Sequence, residues 1–196
     1  MRAPGSLPTG FDRGVVTTVH QGDCLTSDDP GVTFSTVLGS CVAACVRDIE
    51  AGVGGMNHFL LAGPRGTASD RFGPSARYGA FAMEQLINKV LSRGSGKKGN
   101  LEIKVFGGGV ISGAMQDVGA KNLDFVHEFL GNEGYVAANE DVGGNFARRL
   151  MYKPVSGRAA VKRLDSQLGV SIAEEELLAA RIAAAMPPAY REIELF

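Results

Sequence analysis

The sequence predicts an α/β (α+β) fold, a single layered domain whose mixed β-sheet core is flanked by helices. Three observations predict it. Short β-branched or apolar runs fill the first third of the chain. Strand and helix patterns then alternate through the middle, and two strand-like runs about a Val-Ser-Gly turn form a hairpin. At 196 residues, 44% hydrophobic and 21% charged, the chain suits one domain with a real core.

The elements follow in order. Residues 1–13 hold Pro4, Gly5, Pro8 and Gly10 without periodicity and read as a loose tail. Residues 15–20 are β-branched and form a strand. Asp28-Asp-Pro-Gly31 is a turn, and 32–36 is the next strand, broken by Gly39-Ser40. Residues 41–46 are almost wholly apolar, which fits a buried strand or the start of a buried helix equally well. Residues 47–52 connect to a buried strand over 53–62 that carries His58. The Gly- and Pro-rich loop at 63–74 is long enough to be a functional flap.

Ser75 is placed to cap a helix over 76–92, where Met83, Leu86, Ile87, Val90 and Leu91 fall at helical spacing. Gly94-Ser-Gly-Lys-Lys-Gly99 ends that helix, and 101–106 is a strand. Leu123, Val126 and Leu130 mark a second helix closed by Gly131. A strand over 135–139, a turn over 141–145 and a hairpin from 149–154 and 158–164 complete the core. Residues 172–186 form an Ala- and Leu-rich helix stopped by Pro187-Pro188. Three segments result: a tail at 1–13, a domain at 14–164 and a helical extension at 165–196.

Composition excludes several classes. The 20 basic and 21 acidic residues leave a formal net charge of −1, so no nucleic-acid footprint is present. No apolar run approaches a bilayer span, and the N-terminus lacks the apolar core of a signal peptide. A cytoplasmic protein without membrane insertion is expected. Three cysteines, Cys24, Cys41 and Cys45, argue against a disulfide framework. No C-x-x-C occurs, so no metal is expected. The G-x-G-x-x-G at 94–99 follows a helix and precedes a strand, the reverse of a dinucleotide site. It reads as a flexible connection, and no cofactor is expected.

A free cysteine is usually a small core hydrophobe, and Cys45 reads that way. Cys41 differs because the Gly39-Ser40 turn precedes it. Such a turn can aim backbone N–H groups at a developing oxyanion, which makes Gly39, Ser40 and Cys41 the candidate oxyanion hole. If residue 41 opened a helix, the helix N-terminus would also stabilise a thiolate. A histidine in an apolar strand is more often a satisfied core residue. His58, however, has Gly54 and Gly55 beside it, and its strand would pair with the Cys41 segment. Thiol and imidazole together suffice for nucleophilic catalysis, with the imidazole moving the protons. A third group orients the ring. Asn57 adjoins His58 on a strand and points to the other face, leaving Ser35 or Thr36. His20 and His127 read as surface or boundary residues.

Thr36-Val-Leu-Gly-Ser-Cys41-Val, with Gly55-Met-Asn-His58-Phe placing the histidine seventeen residues after the cysteine, resembles the CheD family of chemoreceptor glutamine deamidases. The likeness continues through Lys104-Val-Phe-Gly-Gly108, Gly119-Ala-Lys-Asn122, Phe129-Leu-Gly-Asn-Glu-Gly134, Asp141-Val-Gly-Gly144, Arg148-Arg149 and Ser156-Gly-Arg158. It covers about residues 14–164. The resemblance implies a fold similar to the catalytic domain of deamidating toxins. It implies a cysteine hydrolase that converts glutamines of methyl-accepting chemotaxis receptors to glutamate through a thioester. Cys41 would be the nucleophile and His58 the base. The family hydroxyl lands on Ser35, with Thr36 the alternative. The alternative functions are hydrolysis of receptor methyl esters and docking of a chemotaxis phosphatase. The extension from 165 lies outside the likeness and is expected to pack on the domain, with service to a partner as the alternative.

Overall fold

The computed structural model describes residues 10–11, 14–61, 74–110, 117–164, 171–172, 175–176 and 178. The expected flap at 63–74 (apart from Pro74), most of the N-terminal tail and most of the C-terminal helix lie outside them. The strands are β1 (Val15–Thr18), β2 (Cys24–Ser27), β3 (Val32–Leu38), β4 (Val42–Asp48) and β5 (Val53–Asn57). Helix α1 (Pro74–Arg93), β6 (Leu101–Gly107), α2 (Val118–Asn132), β7 (Ala137–Val142), β8 (Arg148–Tyr152) and β9 (Ala159–Arg163) follow.

The class is α/β, with two mixed sheets in place of one. One sheet has the order β1-β3-β8-β9 and the other β2-β5-β4-β6-β7. Parallel pairs β1/β3 and β6/β7 make each sheet mixed. The helices, the five-stranded sheet and the four-stranded sheet form three layers. Strand β4 explains the arrangement. Its Val42, Ala44 and Val46 pack with Met83, Leu86 and Val90 of α1 and Val126 of α2. Its Ala43 and Cys45, with Cys41 just before, pack with Phe34, Leu38, Leu150 and Tyr152 of the other sheet. A strand covered on both faces loses polar alternation, which is why the run at 41–46 looked equally helical. Because it is a strand, Cys41 does not open a helix of its own, so the helix N-terminus considered for its thiolate is not supplied by residues 41–46.

Other differences have local causes. Strand β2 was not expected, because four residues without alternation carry no periodic signal. Its pairing with β5, Cys24 opposite Asn57, creates it. Helix α1 begins at Pro74, so Ser75 lies inside the first turn rather than at a cap. Proline suits that position because it has no N–H to leave unpaired. Helix α2 starts earlier than its apolar markers because Gly119 lets it touch the preceding loop. A Cβ there would lie 2.3 Å from the Gly109 carbonyl oxygen. It ends through Gly134, at φ +72°, rather than Gly131. The Tyr135 N–H returns to the Leu130 carbonyl, as this left-handed ending requires. Strand β7 is shifted to Ala137–Val142, so Asp141 and Val142 belong to it and the turn begins at Gly143.

The loop at 94–99 is anchored rather than free. The Ser95 N–H and hydroxyl both donate to Asp48 Oδ2, while Glu50 and Ala51 N–H groups donate to Oδ1. Burial of Asp48 works against its charge, yet these donors outweigh it and hold the carboxyl at about 2.

Candidate active site

The β4–β5 register brings the two predicted residues together. Cys45 lies opposite Met56, and the bridge between Val42 and Phe59 continues the same register past the strand ends. Ala43 is thereby opposite His58, and Cys41 is its diagonal neighbour on the same face. The turn at 20–23 fixes the histidine backbone. Gly22 N–H donates to the His58 carbonyl at 2.7 Å, and His58 N–H donates to the Asp23 carbonyl at 3.1 Å.

Thr36, not Ser35, meets the imidazole. Its Oγ1 lies 2.9 Å from His58 Nδ1 and donates to the Val19 carbonyl at 2.8 Å. The expectation had favoured Ser35. Along β3, however, Phe34, Thr36 and Leu38 are buried, while Ser35 and Val37 are only partly so. Thr36 thus shares the face of two large apolar neighbours, a period-two signal already present in the sequence.

This network assigns the tautomer. The Thr36 hydroxyl has one proton and uses it on Val19. Nδ1 therefore carries its own hydrogen and donates to Thr36, with the Val19 oxygen also 3.4 Å away. Nε2 is left as the lone-pair nitrogen. It is buried and has no hydrogen-bond partner among the described residues. Burial, the largest influence, holds the imidazole pKa below the usual value, against the opposing pull of Glu176. The ring rests neutral, as a base should. Asn57 does point away, accepting from Ala44 N–H and donating to the Ala82 carbonyl.

Cys41 is fully buried, and its thiol lies 3.5 Å from Gln21 Oε1. Burial first, then the charge and hydrogen bond of Glu176, push its pKa well up. The thiol therefore rests protonated. Cys45 is also buried and sits in the inter-sheet core.

The backbone N–H groups of Gly39, Ser40 and Cys41 all face the carboxylate of Glu176, the first toward one oxygen and the other two toward the second. Gly39 donates to Oε1 at 2.8 Å. Ser40 N–H, Ser40 Oγ and Cys41 N–H donate to Oε2 at 2.9, 3.0 and 3.3 Å. A Cβ on Gly39 would stand 3.0 Å from Oε2, so glycine permits this approach. Asn122 of α2 sets the other side of the turn. Its Nδ2 donates to the Ser40 carbonyl and its Oδ1 accepts from Leu61 N–H, each at 2.8 Å. Behind it, Gly108 N–H donates to the Cys41 carbonyl and Gly109 N–H to the Gly39 carbonyl. Buried Arg148 holds that glycine loop through the Gly107 and Gly143 carbonyls.

Sequence reasoning missed Glu176 and Asn122 as site residues. Glu176 is the last of three consecutive glutamates, and nothing in their spacing marks one of them. His20 lines a cavity of about 480 Å³ with Gln21, His58, Arg149 and Glu175. His127 is distant and pairs with Glu140 at 3.0 Å.

Cys41, His58 and Glu176 place one donor atom each within 4.8 Å of one another. A soft divalent cation could use such a set. Here the carboxylate oxygens are instead engaged by four protein donors, the arrangement of an anion pocket. Thiol, unpartnered imidazole nitrogen and converging N–H groups are the parts that thiol acyl transfer needs.

The class so defined agrees with the comparisons. The family model described as CheD chemotactic sensory transduction matches residues 60–163. A Ruegeria relative named "Probable chemoreceptor glutamine deamidase CheD 1" is 46% identical over 191 residues, spanning 95% of this chain and 98% of its own. A Caulobacter vibrioides relative, "Probable chemoreceptor glutamine deamidase CheD", is 48% identical over 147 residues, 75% of this chain and 77% of its own. One from Cupriavidus pinatubonensis with that same name is 44% identical over 192 residues, 95% and 87% of the two chains. The chain belongs to the CheD family.

Proposed function

We infer that this chain hydrolyses glutamine side chains of methyl-accepting chemotaxis receptors to glutamate, releasing ammonia. One observation carries the reading. The Cys41 thiol, the lone-pair nitrogen of His58 and three converging backbone N–H groups share one buried pocket. The names of the relatives supply the substrate class.

The reaction runs in two halves. His58 Nε2 takes the thiol proton as Cys41 sulfur bonds to the carboxamide carbon. The resulting oxyanion lies where the Gly39, Ser40 and Cys41 N–H groups point. His58 returns the proton to the amide nitrogen, the C–N bond breaks, and ammonia leaves a γ-glutamyl thioester. Water then attacks that carbon with His58 as base, releasing glutamate and the thiol. Thr36 is a positioning residue that holds the productive tautomer. Residues 14–164 form the hydrolase domain in this reading, with 1–13 and 165–196 as extensions. No described helix is long and apolar enough to cross a membrane, and the proposed site of action is the receptor's cytoplasmic region.

Intact-mass analysis of a receptor cytoplasmic fragment tests this. The wild type should add about 1 Da per deamidated glutamine, and Cys41→Ala should add none. A methyl ester presents the same acyl carbon, and its hydrolysis would instead remove about 14 Da per site. Unchanged deamidation by Cys41→Ala would overturn the proposal. A Cys41→Ala strain with normal chemotaxis would support a docking role for a chemotaxis phosphatase instead.

A further inference from the structure

We propose that Glu176 is a built-in product mimic. The chain's own Glu176 side chain occupies the pocket where a receptor helix presents its glutamine, and the receptor must displace it. The inference rests on the deamidase reading above.

Five observations support it. The carboxylate is chemically the side chain that deamidation of a glutamine yields, and it sits on the Gly39–Cys41 N–H groups with all four donors engaged. It is only 7% exposed, so it seals the pocket rather than brushing its rim. The residues that carry it, Glu175 and Glu176, are helical, so the pocket accepts a carboxylate delivered from a helix. Ile172 and Glu175 line the adjoining cavity with His20, Gln21 and Arg149, which marks the face a competing helix would cover. The carboxylate's charge also holds the nearby thiol in its protonated, less reactive form. Removing it both opens the oxyanion hole and eases ionisation of the nucleophile.

A glutamine at this position becomes a substrate in the chain itself. In Glu176→Gln, Cys41 sulfur bonds to the carbon of the introduced carboxamide and the C–N bond breaks. Ammonia leaves with the proton from His58, and water hydrolyses the thioester to restore Glu176 and the free thiol.

The experiment uses the full chain as wild type, Glu176→Ala, Glu176→Gln and Glu176→Gln with Cys41→Ala. Peptide mapping of Glu176→Gln should show the peptide that spans the substitution gaining about 1 Da, while the double variant stays unchanged. In Glu176→Ala, iodoacetamide should alkylate Cys41 about tenfold faster than in wild type. Deamidation of a receptor fragment at sub-saturating concentration should rise by about fivefold. An introduced carboxamide that persists in a Glu176→Gln preparation able to deamidate the receptor overturns this inference and leaves the deamidase reading standing. If no variant and no wild type deamidates the receptor, the deamidase reading fails. Cys41 alkylation then decides whether Glu176 guards the thiol: equal rates in wild type and Glu176→Ala overturn it, and a tenfold rise upholds it.

Discussion

Replacing Thr36 by valine removes one oxygen and keeps the β-branched shape on β3. The oxygen it removes is the acceptor 2.9 Å from His58 Nδ1 and the donor to the Val19 carbonyl. The buried Nδ1–H then has only the Val19 oxygen, 3.4 Å away and poorly placed. Leaving a buried polar group so poorly satisfied costs about 1–3 kcal/mol. If that cost falls on the productive tautomer, the rate drops roughly 5- to 150-fold, at about 1.4 kcal/mol per factor of ten. The assay is the initial rate of ammonia release from a receptor fragment, with kcat and KM separated. The loss should appear in kcat, because buried Thr36 acts through the His58 ring. Thr36→Ser keeps the hydroxyl and should recover most of the rate. Ser35→Ala, on the opposite face of the strand, should stay within about twofold of wild type. A Ser35→Ala variant that loses as much as Thr36→Val would rule out the Thr36 role, as would a fully active Thr36→Val.

The remaining predictions concern the supports of the site and of the fold. Asn122→Asp keeps the acceptor for Leu61 N–H but loses the donor to the Ser40 carbonyl, so stability should fall by about 2 kcal/mol in urea unfolding. The same change should lower kcat by more than about tenfold, because the turn that aims the oxyanion donors is no longer held. Asp48→Asn turns an acceptor from Ser95 into a donor and should cost about 2 kcal/mol by the same measurement. In the wild type the Asp48 carboxyl is depressed from 3.8 to about 2. Its stabilisation is therefore complete above 3.8 and is lost as pH falls toward 2, since the unfolded chain takes the proton first. Asp48→Asn should lack that part of the acid slope. The His58 pKa is lowered from 6.5, chiefly by burial, so between the folded value and 6.5 the unfolded state binds more protons. Melting temperature should fall as pH drops below 6.5, and His58→Gln should flatten the profile there.

The sequence made much of this legible because its strongest signals were local. The Gly39-Ser40 turn before Cys41, and Gly54-Gly55 before His58, mark places where the backbone must approach something closely. The strand register then brings the two together. The hairpin of β8 and β9 was equally plain, because its turn residues sit between two paired runs. What stayed hidden depended on tertiary cover. The split into two sheets follows from β4 being buried on both faces, which erases its periodicity. Thr36 was readable from Phe34 and Leu38 at two-residue spacing, but the family likeness drew attention to Ser35. Asn122 acts through a helix face whose polar residue looks unexceptional until Ser40 and Leu61 are beside it. Glu176 lies 135 residues beyond Cys41 and reaches it only in the folded chain.

In the proposed mechanism, Cys41 sulfur becomes covalently attached to a receptor glutamine side chain. Rapid acid quenching of wild-type protein mixed with a receptor fragment, followed by intact-mass analysis, tests it directly. A transient species at the summed mass less about 17 Da for ammonia, linked through Cys41 and absent from Cys41→Ala, is expected. Receptor deamidation that proceeds with no such adduct, and survives Cys41→Ala, would contradict it.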